Sequence, residues 1–181
     1  SEIPHYREDW AFRATYNYAQ RYFLEVNGAY NGSEKFSSEN RFAFFPSGAI
    51  GWMISEEKFM KRLKFLDMLK VRASYGKIGD DNIGARWLYM SQWAYEGVAH
   101  LGNTADDVSP YTWYRPTVMG NTNIHWETAT KLNMGVDFGF LSGLLTGTVD
   151  VFRNVRSDIL INGTARAIPS FYGMTAPWAN L

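Results

Sequence analysis

From Glu127 to Val155 the residues alternate so strictly that one side of the chain must meet an apolar environment and the other water. Leu132, Met134, Val136, Phe138 and Phe140 take every second position, with Lys131, Asn133, Gly135, Asp137 and Gly139 between them. Successive side chains of a strand point to opposite faces, so this spacing predicts a strand with one apolar and one polar face. After Ser142 and Gly143 the pattern resumes, with Leu145, Gly147, Val149 and Val151 set against Thr146, Thr148 and Asp150. A tight turn therefore joins two amphipathic strands into a hairpin. Each arm approaches the roughly 9 to 11 residues that a tilted strand needs to cross a bilayer, against about 5 to 6 for strands of globular sheets.

The same alternation predicts four more strands. Trp10, Phe12, Ala14, Tyr16 and Tyr18 oppose Ala11, Arg13, Thr15 and Asn17; a polar break at 19–21 leads into Tyr22, Leu24, Val26, Gly28 and Tyr30 opposite Phe23, Glu25, Asn27 and Ala29. A third run, 43–54, places Ile50, Trp52 and Ile54 opposite Ser47, Ala49, Gly51 and Met53, and a further run at 70–79 sets Val71, Ala73 and Tyr75 against Arg72, Ser74 and Gly76. Between these two, Phe59, Leu63, Leu66 and Leu69 recur at spacings of four and three behind Ser55-Glu56-Glu57, which predicts one short amphipathic helix over 55–69 with Ser55 as its N-cap. From Asp80 to Trp126 periodicity is lost. Trp87, Tyr89, Trp93, Tyr95, Tyr111, Trp113 and Tyr114 lie there among Gly, Asn, Asp and Pro. Loops of this length are usually functional or disordered, and the aromatic content argues against disorder.

Connection lengths give these strands a sidedness. In an up-and-down sheet the connections at 31–41, 80–126 and after 156 share one end, while the turns at 19–21 and 142–145 and the 55–69 segment share the other. Long loops at one end and mostly short turns at the other is the asymmetry of outer-membrane barrels, to which the 55–69 segment is the exception, being long for a connection on the short-turn side. Aromatics gather at the same two ends: Trp10, Tyr30, Phe44, Tyr75 and Trp126 at one, Tyr18, Tyr22, Trp52 and Phe140 at the other, as interfacial belts would. Lys or Arg facing lipid at the midplane costs about 2–4 kcal/mol, so Arg13, Arg72, Lys131, Asp137 and Asp150 are expected to face the lumen. The expected fold is all-β: an antiparallel up-and-down transmembrane barrel segment of about six strands, with one short helix in a connection.

Composition narrows the function. No stretch is long and apolar enough for a membrane-spanning helix. Formal net charge is zero, so no global field favours nucleic acid, and a nucleic-acid partner is not expected. The absence of cysteine rules out disulfides, thiolate metal sites and cysteine nucleophiles. His5, His100 and His125 lack metal-ligand spacing; Asp80-Asp81 and Asp106-Asp107 match no calcium-loop pattern and suit solvated turns. With neither a phosphate loop nor a nucleophile elbow, an enzyme is not expected, and neither is a cofactor or metal. The aromatic 80–126 loop remains the candidate contact surface. Its rings could stack on sugar rings or peptide side chains, or anchor the loop to a neighbour.

Several stretches resemble SusC/RagA-type TonB-dependent transporters: Tyr22 to Phe36, Phe45 to Glu57, Leu66 to Gly76, Trp126 to Asp137 and Asp150 to Leu160, in order and together. The resemblance implies an outer-membrane nutrient importer with a plugged barrel of about 22 strands, a SusD-like surface lipoprotein as lid, coupling through TonB, and oligosaccharide or peptide substrates. The whole of 1–181 would then be part of one barrel domain. No plug domain and no TonB-contacting box are recognised in this sequence, and both ends read as cut, so a longer parent polypeptide is expected. The alternative class is a soluble all-β carbohydrate-binding or adhesin domain.

Overall fold

A computed structural model of the chain describes residues 5–63, 65–98, 111–169 and 174–181. Its principal strands are Arg7–Tyr18 (β1), Tyr22–Ser33 (β2), Phe42–Met53 (β3), Leu66–Asp80 (β4), Gln92–Val98 (β5), Thr112–Val118 (β6), Glu127–Phe140 (β7) and Leu145–Ser157 (β8). Six of them form one antiparallel sheet in the order β1-β2-β3-β4-β7-β8, and the sheet is open rather than closed. The described residues gather into two compact units: one is this sheet, and the other is built from 34–41, 82–125 and 159–181.

The pairing register carries the sequence alternation across the whole sheet. One row runs Tyr16, Leu24, Ile50, Ala73, Met134, Val151, one residue from each strand. The next row, on the opposite face, runs Asn17, Phe23, Gly51, Arg72, Gly135, Asp150. The apolar row is bare: Tyr16 is 61% exposed, Ile50 61% and Val151 69%. A water-soluble sheet would cover such a face with a second layer.

Glycines on the apolar face are filled from the neighbouring strand. Phe12 lies over its cross-strand partner Gly28, Phe42 over Gly32 and Phe138 over Gly147, each so close that a Cβ on the glycine would collide with the ring. The ring supplies the surface the glycine lacks, a pairing that pins register. Phe12 and Phe44 stack at 6.4 Å, and Tyr18, Tyr22 and Trp52 form a stacked row at the other end with the same 6.4 Å spacing.

Two expectations need correction. The 55–69 segment is not one helix: it holds two isolated 3-10 turns, Ile54–Glu56 and Met60–Arg62, and β4 has already begun at Leu66. Ser55 lies inside the first turn, and no side chain caps it. Glu57 breaks the helix, adopting an extended backbone (φ −76°, ψ 145°) while its carboxylate accepts from Tyr22 Oη at 2.6 Å, Trp52 Nε1 at 3.2 Å and Arg21 Nη1 at 3.3 Å. Phe59 and Leu63 stay exposed, so the apolar stripe that would have stabilised a helix has no surface to bury against. Trp126, expected in the outer aromatic belt, is instead buried, with its ring edge-on to Phe45 at 5.5 Å.

The second unit has its own small core. Phe36 and Ile124 are fully buried, and Leu88 and Ala176 are nearly so. Asn121 ties its segments together: its N–H donates to the Leu88 carbonyl, its Nδ2 donates to the Trp178 carbonyl at 2.8 Å, and its Oδ1 accepts from the Asn123 N–H. The Thr122 carbonyl accepts from Ser37 Oγ and Asn40 Nδ2. Asn180 imitates a strand partner, with its Oδ1 accepting from the His125 N–H and its Nδ2 donating to the His125 carbonyl. The three connections that spring from the β2, β4 and β8 ends are thus bound to each other.

Candidate functional site

The polar face of the sheet places the expected charged residues in two clusters. On β1 and β2, Arg13 Nη2 donates to Glu25 Oε2 at 2.6 Å, and Asn27 Nδ2 donates to Glu25 Oε1 at 2.8 Å. On β4, β7 and β8, Arg72 Nε donates to Asp137 Oδ2 at 3.2 Å and Arg72 Nη2 to Asp150 Oδ2 at 2.8 Å, while Thr148 Oγ1 donates to Asp137 Oδ1 at 2.9 Å. Arg13 is therefore balanced by Glu25 rather than by the β7 and β8 acids. Lys131 belongs to neither cluster. It is exposed, opposite Asn154, and makes no ion pair among the described residues.

The longest of these reaches depends on absent side chains. Arg72 sits in its row between Gly51 and Gly135, and its guanidinium crosses strand β7 over Gly135 to meet Asp150 two strands away. A Cβ at 135 would lie 2.6 Å from Asp150 Oδ1 and 2.8 Å from Arg72 Cζ. Lys70 leans the other way, past Gly51, so that its Nζ stands 5.0 Å over the Phe23 ring on β2. Two neighbouring cations of β4 thus staple three strands on either side. Lys70, Phe23 and the two glycines were not among the expected site residues.

The 80–126 connection is not aperiodic. It contains the β5–β6 ribbon, in which Tyr95 pairs with Tyr114 and Trp93 with Pro116. Trp93, Tyr95 and Tyr114 therefore share one face; they are 63%, 56% and 58% exposed, and the two tyrosine rings meet edge-on at 5.8 Å. Trp113 belongs to the other face with Arg115, which forms an ion pair with Glu96 at 2.7 Å. Tyr111 precedes β6, also exposed. Trp87 and Tyr89 fall outside the ribbon. Trp87 lies beneath the Arg86 guanidinium at 5.7 Å, and Arg86 in turn pairs with Glu34 at 2.6 Å, an arrangement that holds the loop together. His100, Asp106 and Asp107 lie outside the described residues.

In the turn between β3 and β4, the hydrogen bond from Tyr22 holds the Glu57 carboxyl below the usual carboxylate range, with Trp52 and Arg21 adding to the effect. The carboxylate fastens the turn to the aromatic row at that end of the sheet.

Residues 6–180 match the model of a family described as TonB dependent receptor-like, beta-barrel. The chain belongs to that family. It is 36% identical over 148 residues to the TonB-dependent receptor SusC of Bacteroides thetaiotaomicron, covering 82% of this chain and 14% of SusC. It is 30% identical over 171 residues to the TonB-dependent receptor P3 of Formosa agariphila, covering 93% of this chain and 16% of that receptor. Among solved structures it is similar to a chain of the RagAB peptide importer in its open-open state, with a TM-score of 0.78 and 22% identity over 97% of this chain and 18% of that one. The chain thus spans 14% to 18% of these proteins' length, and its likeness to RagAB is one of fold.

Proposed function

We propose that this chain is a segment of the barrel wall of an outer-membrane nutrient importer of the SusC/RagA type, with the apolar face of its sheet toward lipid and the polar face toward the lumen. Residues 1–181 then belong to one barrel domain whose plug, and with it the contact to TonB, lies in other parts of the parent protein. A SusD-like lipoprotein closes it from outside, and the cargo is an oligosaccharide or a peptide. The observation that carries this reading is the unbroken apolar row Tyr16–Val151, exposed on five of its six strands and half-buried only at the small Ala73, and backed by a row that holds Arg72 and Asp150. Lipid is the environment in which such a face needs no second layer, and a barrel is the only sheet that lipid tolerates. The polar face then lines the lumen with Arg13, Arg72, Lys131, Asp137 and Asp150, and the Trp93–Tyr95–Tyr114 face of the β5–β6 ribbon is the contact surface for cargo or lid.

Single cysteines at Val136 and Asp137 of the assembled receptor test this, using a membrane-impermeant thiol reagent. The expected result is protection at Val136 and labelling at Asp137. Labelling at Val136 with protection at Asp137 refutes the assignment of faces, because a one-residue slip exchanges every side chain between the two environments.

A further inference from the structure

On β2, β3 and β7 the apolar face carries no charged residue, whereas β8 carries one cation on it, Arg153, and β4 carries one outward of its bulge, Lys77. These two are not scattered. Arg153 pairs with Leu132, which pairs with Tyr75, the aromatic toward the long-connection end of β4; Lys77 stands two residues further outward, opposite Thr130. Strands β4 and β8 flank β7, so the two backbones are about 10 Å apart across the sheet and offset by about 7 Å along it. Both side chains are long, exposed and without an ion-pair partner among the described residues, and Thr130 stands on β7 between their strands, directly opposite Lys77. The penalty on a charge facing lipid falls toward the interface, so at the aromatic belt two cations are tolerable where headgroup phosphates begin. No acidic residue of β4, β7 or β8 shares this patch of the face.

We propose that Lys77 and Arg153, with Thr130 between them, bind the phosphate of an anionic lipid at the outer rim of the sheet. The proposal rests on the reading of the apolar face as lipid-facing. The lipid's chains would lie along Tyr75, Leu132 and Val151, and its phosphate would satisfy both cations at once, as juxtamembrane Lys and Arg attract anionic headgroups elsewhere.

The test uses the full-length receptor that contains this chain, purified in neutral detergent, with fluorescent phosphatidic acid in mixed micelles as the probe and phosphatidylcholine as the neutral reference. The wild type is expected to prefer phosphatidic acid, and Lys77→Gln with Arg153→Gln to raise the half-saturating concentration at least about tenfold. Lys61→Gln with Arg62→Gln, which removes the same charge from the β3–β4 turn, is expected to leave it within about twofold. Equal binding by wild type and the Lys77/Arg153 variant overturns the proposal, and so does displacement of the probe by millimolar inorganic phosphate, which would mark a free-phosphate site. Thiol labelling of Val136 in the same preparation separates the two layers: a loss of lipid preference with Val136 protected removes only the lipid site, whereas Val136 labelled removes the assignment of faces beneath it.

Discussion

Replacing Gly135 with alanine should destabilise the barrel, although strand interiors ordinarily gain from the same change. A glycine inside a strand costs about 0.5–1 kcal/mol relative to alanine, so with open space above it the substitution would stabilise. At Gly139, four residues along the same strand and on the same face, that space exists: a new Cβ would make ordinary contacts with Met68 Cβ at 3.6 Å, Thr146 Cγ2 at 3.7 Å and Met68 N at 3.8 Å. At Gly135 the Cβ would strike the Arg72 guanidinium at 2.8 Å and Asp150 Oδ1 at 2.6 Å, forcing the arginine off Asp150. A hydrogen bond between charged groups contributes about 1.5–3 kcal/mol when sheltered. Arg72 and Asp150 are each 36% exposed, which discounts this to about 1–2 kcal/mol. Gly135→Ala should therefore lose about 1 kcal/mol net and Gly139→Ala should gain about half of that. Urea unfolding of the folded receptor in lipid vesicles, followed by tryptophan fluorescence, measures both. The decisive variant is Gly135→Ala in a background that carries both Arg72→Ala and Asp150→Ala, where both obstructing groups are gone and the new alanine should become neutral or stabilising. If Gly135→Ala costs the same with and without Arg72 and Asp150, the staple over the glycine is not what holds these strands.

Acid should loosen the β3–β4 turn through Glu57: its carboxyl is held below the ordinary range in the fold, so the stabilisation is complete above the unfolded value of about 4.3 and is lost as pH falls through the folded one. Limited proteolysis at 54–63 should therefore rise below about pH 4.3 in the wild type, while Glu57→Gln should be cleaved already at neutral pH with a flat profile; a Gln variant that tracks the wild type would show that Glu57 does not fasten the turn. On the proposal that the ribbon face is the contact surface for cargo or lid, replacing Trp93, Tyr95 and Tyr114 with alanine should weaken one of these contacts at least about tenfold, taking about 1 kcal/mol per stacked ring, without changing the amount of receptor in the membrane. Cargo affinity and lipoprotein co-purification measured together tell the two apart, and no change in either would remove the ribbon from capture.

The six sheet strands were legible because period-two alternation survives any twist or tilt, and Val136 or Asp137 keeps its face whatever lies beside it. Less was legible where neighbours decide. The β5–β6 ribbon was hidden by Pro116 inside a strand, by Trp113 and Tyr114 side by side on opposite faces, and by two bulges that slip the alternation. The 55–69 helix was misread because its apolar spacing straddles two elements, Phe59 and Leu63 lying in the turn and Leu66 and Leu69 in β4. Of the candidate site, the faces of Arg13, Arg72, Lys131, Asp137 and Asp150 followed from parity, but their partners did not, since a partner is a property of register. Part of that register was available: pairs across the 19–21 turn sum to a constant, which sets Phe12 opposite Gly28 and Arg13 opposite Asn27 before any coordinates exist. No such rule reaches from Arg72 over Gly135 to Asp150, because β4 and β7 are separated by the whole 81–126 excursion.

The two staples of β4 bear on how the wall is put together. A hydrogen-bonded ladder compares one strand with the next and accepts any shift that keeps backbone groups matched. Lys70 and Arg72 compare each strand with the next but one: the ring of Phe23 must stand beyond Gly51, and the carboxylate of Asp150 beyond Gly135. A slip of β8 by two residues would keep every face correct, yet it would take Gly147 from beneath Phe138 and bring Thr148 or Phe152 to the place where Arg72 meets an acid. The alternation alone tolerates such a slip, whereas the Phe138–Gly147 fit, the short 141–144 turn and the Arg72–Asp150 pair each oppose it. β4 is therefore aligned against four strands rather than two, because its cations reach β2 and β8 past the strands that it pairs with.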